Sequence, residues 1–156
     1  MIRINVPGFG MVEIEHIVSD FTGTLSEDGR LCPGVRERLN RLSDDVEVHI
    51  LTADTFGRAG EELGGIPCTV KILQGNDHDI QKEDYVKSLG PDRVFALGNG
   101  NNDRRMLATA RVGVAVCLKE GCATDAVRSA DIVVNSIGDG LDLPLNTKRL
   151  KATLRF

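Results

Sequence analysis

Hydrophobic and polar positions change period several times along the chain, and each change marks an element. Residues 2–6, Ile-Arg-Ile-Asn-Val, alternate in sidedness, Pro7-Gly8-Phe9-Gly10 turns the chain, and residues 11–19 form a second strand-like run. Together they predict a hairpin feeding a buried strand that ends at Asp20. Residues 26–30, Ser-Glu-Asp-Gly-Arg, predict a turn, and Pro33-Gly34 opens a helix with Val35, Leu39 and Leu42 at helical spacing. Residues 46–52 alternate as a strand. Beyond them the two periods take turns: helix around 55–63, strand 68–73, helix 79–89, strand 93–97, helix 103–110, strand 112–116, helix 124–130 and strand 131–134.

Strands alternating with helices of about ten residues imply crossover units. The expected fold is therefore α/β: a Rossmann-like three-layer parallel sheet with helices on both faces, preceded by the β-hairpin. In such a sheet ligands bind at the carboxyl ends of the strands. Three of those ends carry polar residues after apolar runs: Asp20, Thr52-Ala53-Asp54, and the loop Gly98-Asn99-Gly100-Asn101-Asn102-Asp103. The length of 156 residues suits one domain spanning 1–156. The roughly 25 residues between Asp20 and the next strand are too few for an inserted domain, so no cap domain is expected and the strand ends should lie open.

Charge and composition narrow the classes. With 19 Lys+Arg against 23 Asp+Glu, the formal net charge is -4, without a basic run, and a nucleic-acid partner is not expected. Among the apolar runs, that of residues 112–118 is far shorter than the roughly 20 residues of a membrane span. The first residues lack the basic head and apolar core of a secretory signal, so a cytoplasmic protein without a membrane partner is expected. Cys32, Cys68, Cys117 and Cys122 show no C-x-x-C spacing and sit in or beside apolar segments. Small reduced core residues are the expected role, with a metal or redox site as the alternative.

The three polar strand ends also carry the candidate chemistry. In Asp20-Phe21-Thr22-Gly23-Thr24-Leu25, a strand-terminal carboxylate is followed by a hydroxyl residue and a glycine, which lets side chain and amides face one point. A carboxylate so placed can attack phosphorus and form an acyl phosphate; it can equally cap a turn. Thr52 offers a hydroxyl and backbone amide to a phosphoryl oxygen, whereas Asp54 reads better as the cap of the following helix. Lys82 could neutralise nucleophile and phosphoryl charge, although a lysine on an amphipathic helix is commonly solvated and Lys87 competes for the role. Asn99 and Asp103 supply oxygen-bearing side chains beside the same pocket. Asp20 with Asp103 would meet the one or two carboxylates that magnesium takes, or the loop could simply open a helix. Arg58, Arg104 and Arg105 near the expected rim could touch an anion and are otherwise solvated.

With these elements in this order, the sequence resembles the haloacid-dehalogenase-like (HAD) hydrolase superfamily. The segment from Asp20 to Leu25 is similar to its first motif, Thr52 to the second, Lys82 to the third and residues 98–103 to the fourth. The likeness runs from about Val12 and includes residues 112–116 and 130–134. The Asp-x-Thr-Gly-Thr form with the Gly-x-Gly-x-Asn-Asp loop resembles the phosphorylation domain of P-type ATPases more than the ordinary phosphatases of the superfamily, and the tail from Leu141 to Arg155 also looks like a soluble, P-type-ATPase-like group. The resemblance implies a magnesium-dependent phosphohydrolase or phosphotransferase. Asp20 would be the phosphoryl acceptor, and phosphate would be held by Asp20, Thr22, Gly23, Thr52, Ala53 and Lys82. Magnesium would be held by Asp20, the Thr22 carbonyl, Asn99 and Asp103.

Three positions depart from the family. Thr22 stands where phosphatases carry a second Asp that protonates the leaving group and activates water, and a hydroxyl is a poor base near neutral pH. Slow turnover or a persistent phosphoenzyme is expected. Phe21 replaces the lysine of the ATPase motif, and Asn99 replaces a directly coordinating Asp, which implies a weaker metal site. No pump and no ATP-binding insertion are expected. The expected substrate is a phosphorylated small molecule or a phosphoprotein, and a homo-oligomer, common among uncapped members, could roof the site. The alternative is a catalytically weak phosphate- or metal-binding regulatory module on the same fold.

Overall fold

The structure is a computed structural model and describes residues 1–54 and 57–156. Ten strands are present among them: β1 (Ile2–Val6), β2 (Gly10–Ile14), β3 (His16–Asp20), β4 (Ser26–Glu27), β5 (Arg30–Leu31), β6 (Glu47–Thr52), β7 (Thr69–Ile72), β8 (Val94–Gly98), β9 (Val112–Val116) and β10 (Ile132–Val134). The helices are α1 (Val35–Ser43), α2 (Ala59–Glu62), α3 (His78–Leu89), α4 (Arg104–Thr109), α5 (Thr124–Ser129), α6 (Ile137–Leu145) and α7 (Thr147–Leu154). Six strands form one parallel sheet in the order β10-β9-β8-β3-β6-β7. This is the expected α/β architecture.

The central strand explains itself by burial. Within β3, Ile17, Val18 and Ser19 are inaccessible to solvent because helices cover both faces. Ile17, Ile50, Phe95, Leu97, Val112 and Val114 belong to one core with residues of α1, α6 and α7. On the other face, Val18, Leu51, Val94 and Ala96 pack with Val86 of α3, Met106 of α4 and Ala126 of α5. The period-2 alternation of the strands sorts their side chains between these two cores.

The hairpin β1–β2 is a separate antiparallel pair, with Ile4 opposite Val12. The strand-like run of residues 11–19 is broken at Glu15. Its amide donates to the Arg93 carbonyl and its carbonyl accepts from the Glu47 amide, which hands the chain from hairpin to central sheet. A second small hairpin, β4–β5, follows β3, and its two-residue turn places Asp28 and Gly29 at φ 51° and 80°, the left-handed pair that tight hairpins prefer. Between β3 and β6 the chain holds this hairpin and α1 and no larger insertion. The expected helix at 55–63 is observed as α2; its first two expected residues, 55 and 56, lie outside the described residues. α6 and α7 complete the layer that carries α1. Among the described residues, no helix is long and apolar enough to cross a membrane.

Candidate active site

Parallel register brings three strand ends together. Ser19 of β3 pairs with Leu97 of β8, and Asp20 pairs with Leu51 of β6. Asp20 therefore stands between the start of the Asn99 loop on one side and Thr52 on the other. α3 runs back across this face, and Lys82, only 1% exposed, reaches Asp20 Oδ1 at 3.0 Å and Asp103 Oδ1 at 2.6 Å. Lys87 is exposed and pairs with Glu83 at 2.8 Å, so the competition between the two lysines is decided by which face of α3 each occupies.

Asp103 holds the loop as well as the lysine. Its Oδ2 accepts from the amides of Asn99 and Gly100, both at 2.9 Å. With no solvent exposure, this carboxylate is satisfied on both oxygens, which is what makes its burial tolerable. Asp20 is more loosely partnered: its Oδ2 accepts from the Thr24 hydroxyl at a long 3.4 Å, and that hydroxyl also faces Asn99 Oδ1 at 3.3 Å.

Two carboxylates around one ammonium leave a buried surplus of negative charge. Burial and the neighbouring Asp103 push Asp20 up from 3.8 to about 7, against the opposing pull of Lys82. For Lys82, the two carboxylates overcome burial and raise its value above the ordinary ammonium range, so the lysine stays charged.

A cavity of about 200 Å³ opens beside Asp20 and is lined by Thr22, Thr52, Ala53, Asn99, Gly100 and Glu120, among others. The Thr52 hydroxyl oxygen accepts the amide of Asp54 at 2.9 Å, which leaves its own proton free to donate into the cavity. Asp54, at φ 53°, accepts from the amides of Arg58 and Ala59, both at 2.9 Å. Its carboxylate thus satisfies the first amides of α2 from outside the N-cap position, which Arg58 occupies. Gly23 has φ 77°, and a Cβ there would collide with the Glu120 carboxylate and lie 2.7 Å from Asn99 Nδ2. The left-handed φ and these neighbours favour glycine at this turn.

Asp20, Thr22, Thr52, Ala53 and Asn99 thus share one cavity wall, with Lys82 and Asp103 behind it. Phe21 is 1% exposed and packs in the core instead. Arg104 and Arg105 are engaged by acids of α3: Arg104 meets Asp79 at 3.2 Å, and Arg105 meets Asp79 at 3.0 Å and Glu83 at 3.2 Å. Arg58 is exposed. Sequence reasoning missed Glu120, which belongs to the loop after β9 and enters the cavity only because that loop folds back over Gly23. The Ala123 amide donates to the Asn99 carbonyl at 2.7 Å, and Asn99 Nδ2 donates to the Gly121 carbonyl at 3.2 Å, which fixes this approach. The four cysteines are unpaired and partly buried; burial and Cys117 push the Cys122 thiol up to about 12.

Comparison with known proteins is consistent with this geometry. No family model matches the chain. The uncharacterised protein MJ0073 of Methanocaldococcus jannaschii is 45% identical over 86 residues, covering 55% of this chain and 83% of that protein. A probable cadmium-transporting ATPase of Listeria monocytogenes is 33% identical over 129 residues, 78% of this chain but only 17% of the ATPase. Among solved structures, a Streptomyces avermitilis protein assigned to the HAD family hydrolases superposes with TM-score 0.65 at 22% identity, covering 84% of this chain and 83% of that one. The 3-deoxy-D-manno-octulosonate 8-phosphate phosphatase of Moraxella catarrhalis, solved with magnesium, phosphate and KDO, gives 0.59 at 20% identity, covering 92% and 95%. The chain belongs with MJ0073 to one sequence family, and its fold is that of the haloacid-dehalogenase-like hydrolases.

Proposed function

We propose that the protein is a magnesium-dependent phosphohydrolase or phosphotransferase that works through an aspartyl phosphate on Asp20. The observation that carries this reading is the buried Asp20–Lys82–Asp103 group set against a small open cavity at the carboxyl edge of the sheet. In-line attack of an Asp20 oxygen on phosphorus forms the acyl-phosphate bond as the bond from phosphorus to the leaving oxygen breaks. The leaving oxygen takes that electron pair and a proton from solvent, and water then returns phosphate and free Asp20.

The donor set suits magnesium. Asp20 Oδ2, the Thr22 carbonyl and Asn99 Oδ1 are hard oxygens, and the surplus negative charge is what a divalent cation would neutralise. Asp103, with both oxygens committed to Lys82 and the loop amides, contributes by charge and by holding Asn99 in place. Bound there, magnesium would draw charge from the phosphoryl oxygens. Thr52 Oγ1, the Ala53 amide and Lys82 would hold those oxygens, while the Gly23 amide, donating to the Ser26 carbonyl at 2.9 Å, keeps the turn closed beside them. The phosphorylated substrate is a small molecule, by analogy with the phosphatases that share the fold, or a phosphoprotein admitted by the uncapped edge. Phosphate release from a panel of phosphate esters with magnesium tests the reading. Asp20→Asn should lower it about 1000-fold or more with an unchanged circular dichroism spectrum, whereas equal rates in the two proteins would refute the proposal.

A second reading, a catalytically weak phosphate- or metal-binding module, is favoured by Thr22 and Asn99. Both line the cavity, and neither side chain is an acid. Tight magnesium-dependent phosphate binding without ester hydrolysis would select it.

A further inference from the structure

The other end of the same two strands carries a second constellation. In the β3–β6 register His16 pairs with Glu47 and Val18 with His49. Because strand side chains alternate, Glu47 and His49 lie on one face of β6, directly beside His16. The three donor atoms converge there: His16 Nδ1 to His49 Nε2 is 3.1 Å, His16 Nδ1 to Glu47 Oε2 is 3.5 Å, and His49 Nε2 to Glu47 Oε2 is 3.6 Å. Two of the chain's three histidines meet at this point. Among the described residues, it is also the one grouping of three His, Cys, Asp or Glu ligand atoms within 4.8 Å of one another.

The triangle has the dimensions of a metal face. Ligands about 2.0–2.1 Å from a tetrahedral ion stand roughly 3.3–3.4 Å from one another, and the observed edges bracket that value. The outer contacts suit it too. His49 Nδ1 lies 3.0 Å from the Tyr85 hydroxyl of α3, so Nδ1 can donate there and leave the Nε2 lone pair facing the triangle, the orienting arrangement that metal-bound histidines use. The side chains of His16 and His49 are 14% and 6% exposed, while that of Glu47 is 75% exposed. Two ligands are thus held by the fold, and the third can swing to admit an ion.

We propose that His16, Glu47 and His49 form a binding site for a borderline divalent transition ion, Zn²⁺ in the first instance, with its fourth position open to solvent. The two imidazoles and one carboxylate favour such an ion over magnesium. The site is independent of the Asp20 reaction: it lies about 13 Å away along β3, at roughly 3.3 Å per residue, at the amino edge of the sheet. An ion here clips together the two strands whose far ends carry Asp20 and Thr52. α3 spans both places, with Lys82 at one and Tyr85 at the other.

Zn²⁺ and Co²⁺ titrations of the full chain without a histidine tag test the site. At 100 times its dissociation constant, Zn²⁺ should raise the melting temperature by about 5–10 °C. Asp20→Asn should keep that rise, while His49→Gln should lose it. Glu47→Gln, at an exposed position that folding tolerates, should weaken binding at least tenfold by calorimetry. Co²⁺ should give visible d–d bands without thiolate charge transfer, and His16→Gln should abolish them. Absence of binding, a thiolate band, or Zn²⁺ stabilisation that survives in both His49→Gln and Glu47→Gln would overturn the assignment.

Discussion

Asp20 and Lys82 show how a residue's chemistry depends on what surrounds it. An Asp at a strand end could cap a turn, and a Lys on a helix is usually solvated; burial of both against Asp103 makes them a charged core. The helical pattern of α3 could not choose Lys82 over Lys87, because Lys82 occupies a buried position where an apolar residue would be expected. A pH dependence follows for the metal-free protein. Asp20 titrates near 7 when folded against 3.8 as a free group, so the folded state binds this proton more tightly than the unfolded one. Its contribution to stability is full below about pH 4 and declines as pH rises toward and past 7. Asp20→Asn should remove that decline: urea unfolding should find it more stable than the native sequence at pH 8 and closer to it at pH 4. Parallel pH profiles for the two proteins would contradict the assignment. Under the proposed mechanism, Thr22→Asp would add a carboxylate beside Asp20 able to act as acid and base, and should speed loss of phosphate by about 100-fold or more in single-turnover dephosphorylation.

At the level of elements, the strands of the central sheet were legible, whereas the β4–β5 pair, expected only as a turn, and the last two helices were not. β9 is an uninterrupted apolar run, and it forms as Val112–Val116 where its composition places it. α6 contains Gly138, Gly140 and Pro144, residues that lower helix propensity, so periodicity alone gives no reason to expect a helix there. Packing decides instead. Leu141 is fully buried, the Ser136 hydroxyl caps the first turn through Asp139, and Arg38 of α1 binds Asp142 through two nitrogens at 2.8 and 3.1 Å. Gly113 gives the sharpest test of how an element is seated. A Cβ there would run into the Leu107 carbonyl of α4, where backbone cannot step aside cheaply. Gly113→Ala should therefore cost about 1–3 kcal/mol in chemical denaturation, despite the better strand propensity of alanine. No measurable loss would mean that α4 sits farther from β9.

For the molecule as a whole, the sheet separates two clusters of polar side chains. Its carboxyl edge gathers Asp20, Thr52, Asn99 and Asp103, as strand-end polarity in the sequence indicated. Its amino edge gathers His16, Glu47 and His49, which no local spacing announces: the residues are 31 to 33 positions apart except within β6, and only the β3–β6 register joins them. Glu120 was hidden for the same reason, since its place at the cavity depends on a loop folding across from β9. That loop also lines a larger cavity of about 680 Å³ with the β4–β5 hairpin, and Lys119 meets Glu27 of the hairpin at 3.1 Å. Uptake of a phosphoryl group by Asp20 would show directly in intact mass after incubation with magnesium and acetyl phosphate, beside Asp20→Asn. One phosphoryl-sized, hydroxylamine-labile gain is expected in the native sequence and none in the variant. The same gain in both proteins, or none in the native sequence together with no release of phosphate, would contradict that uptake.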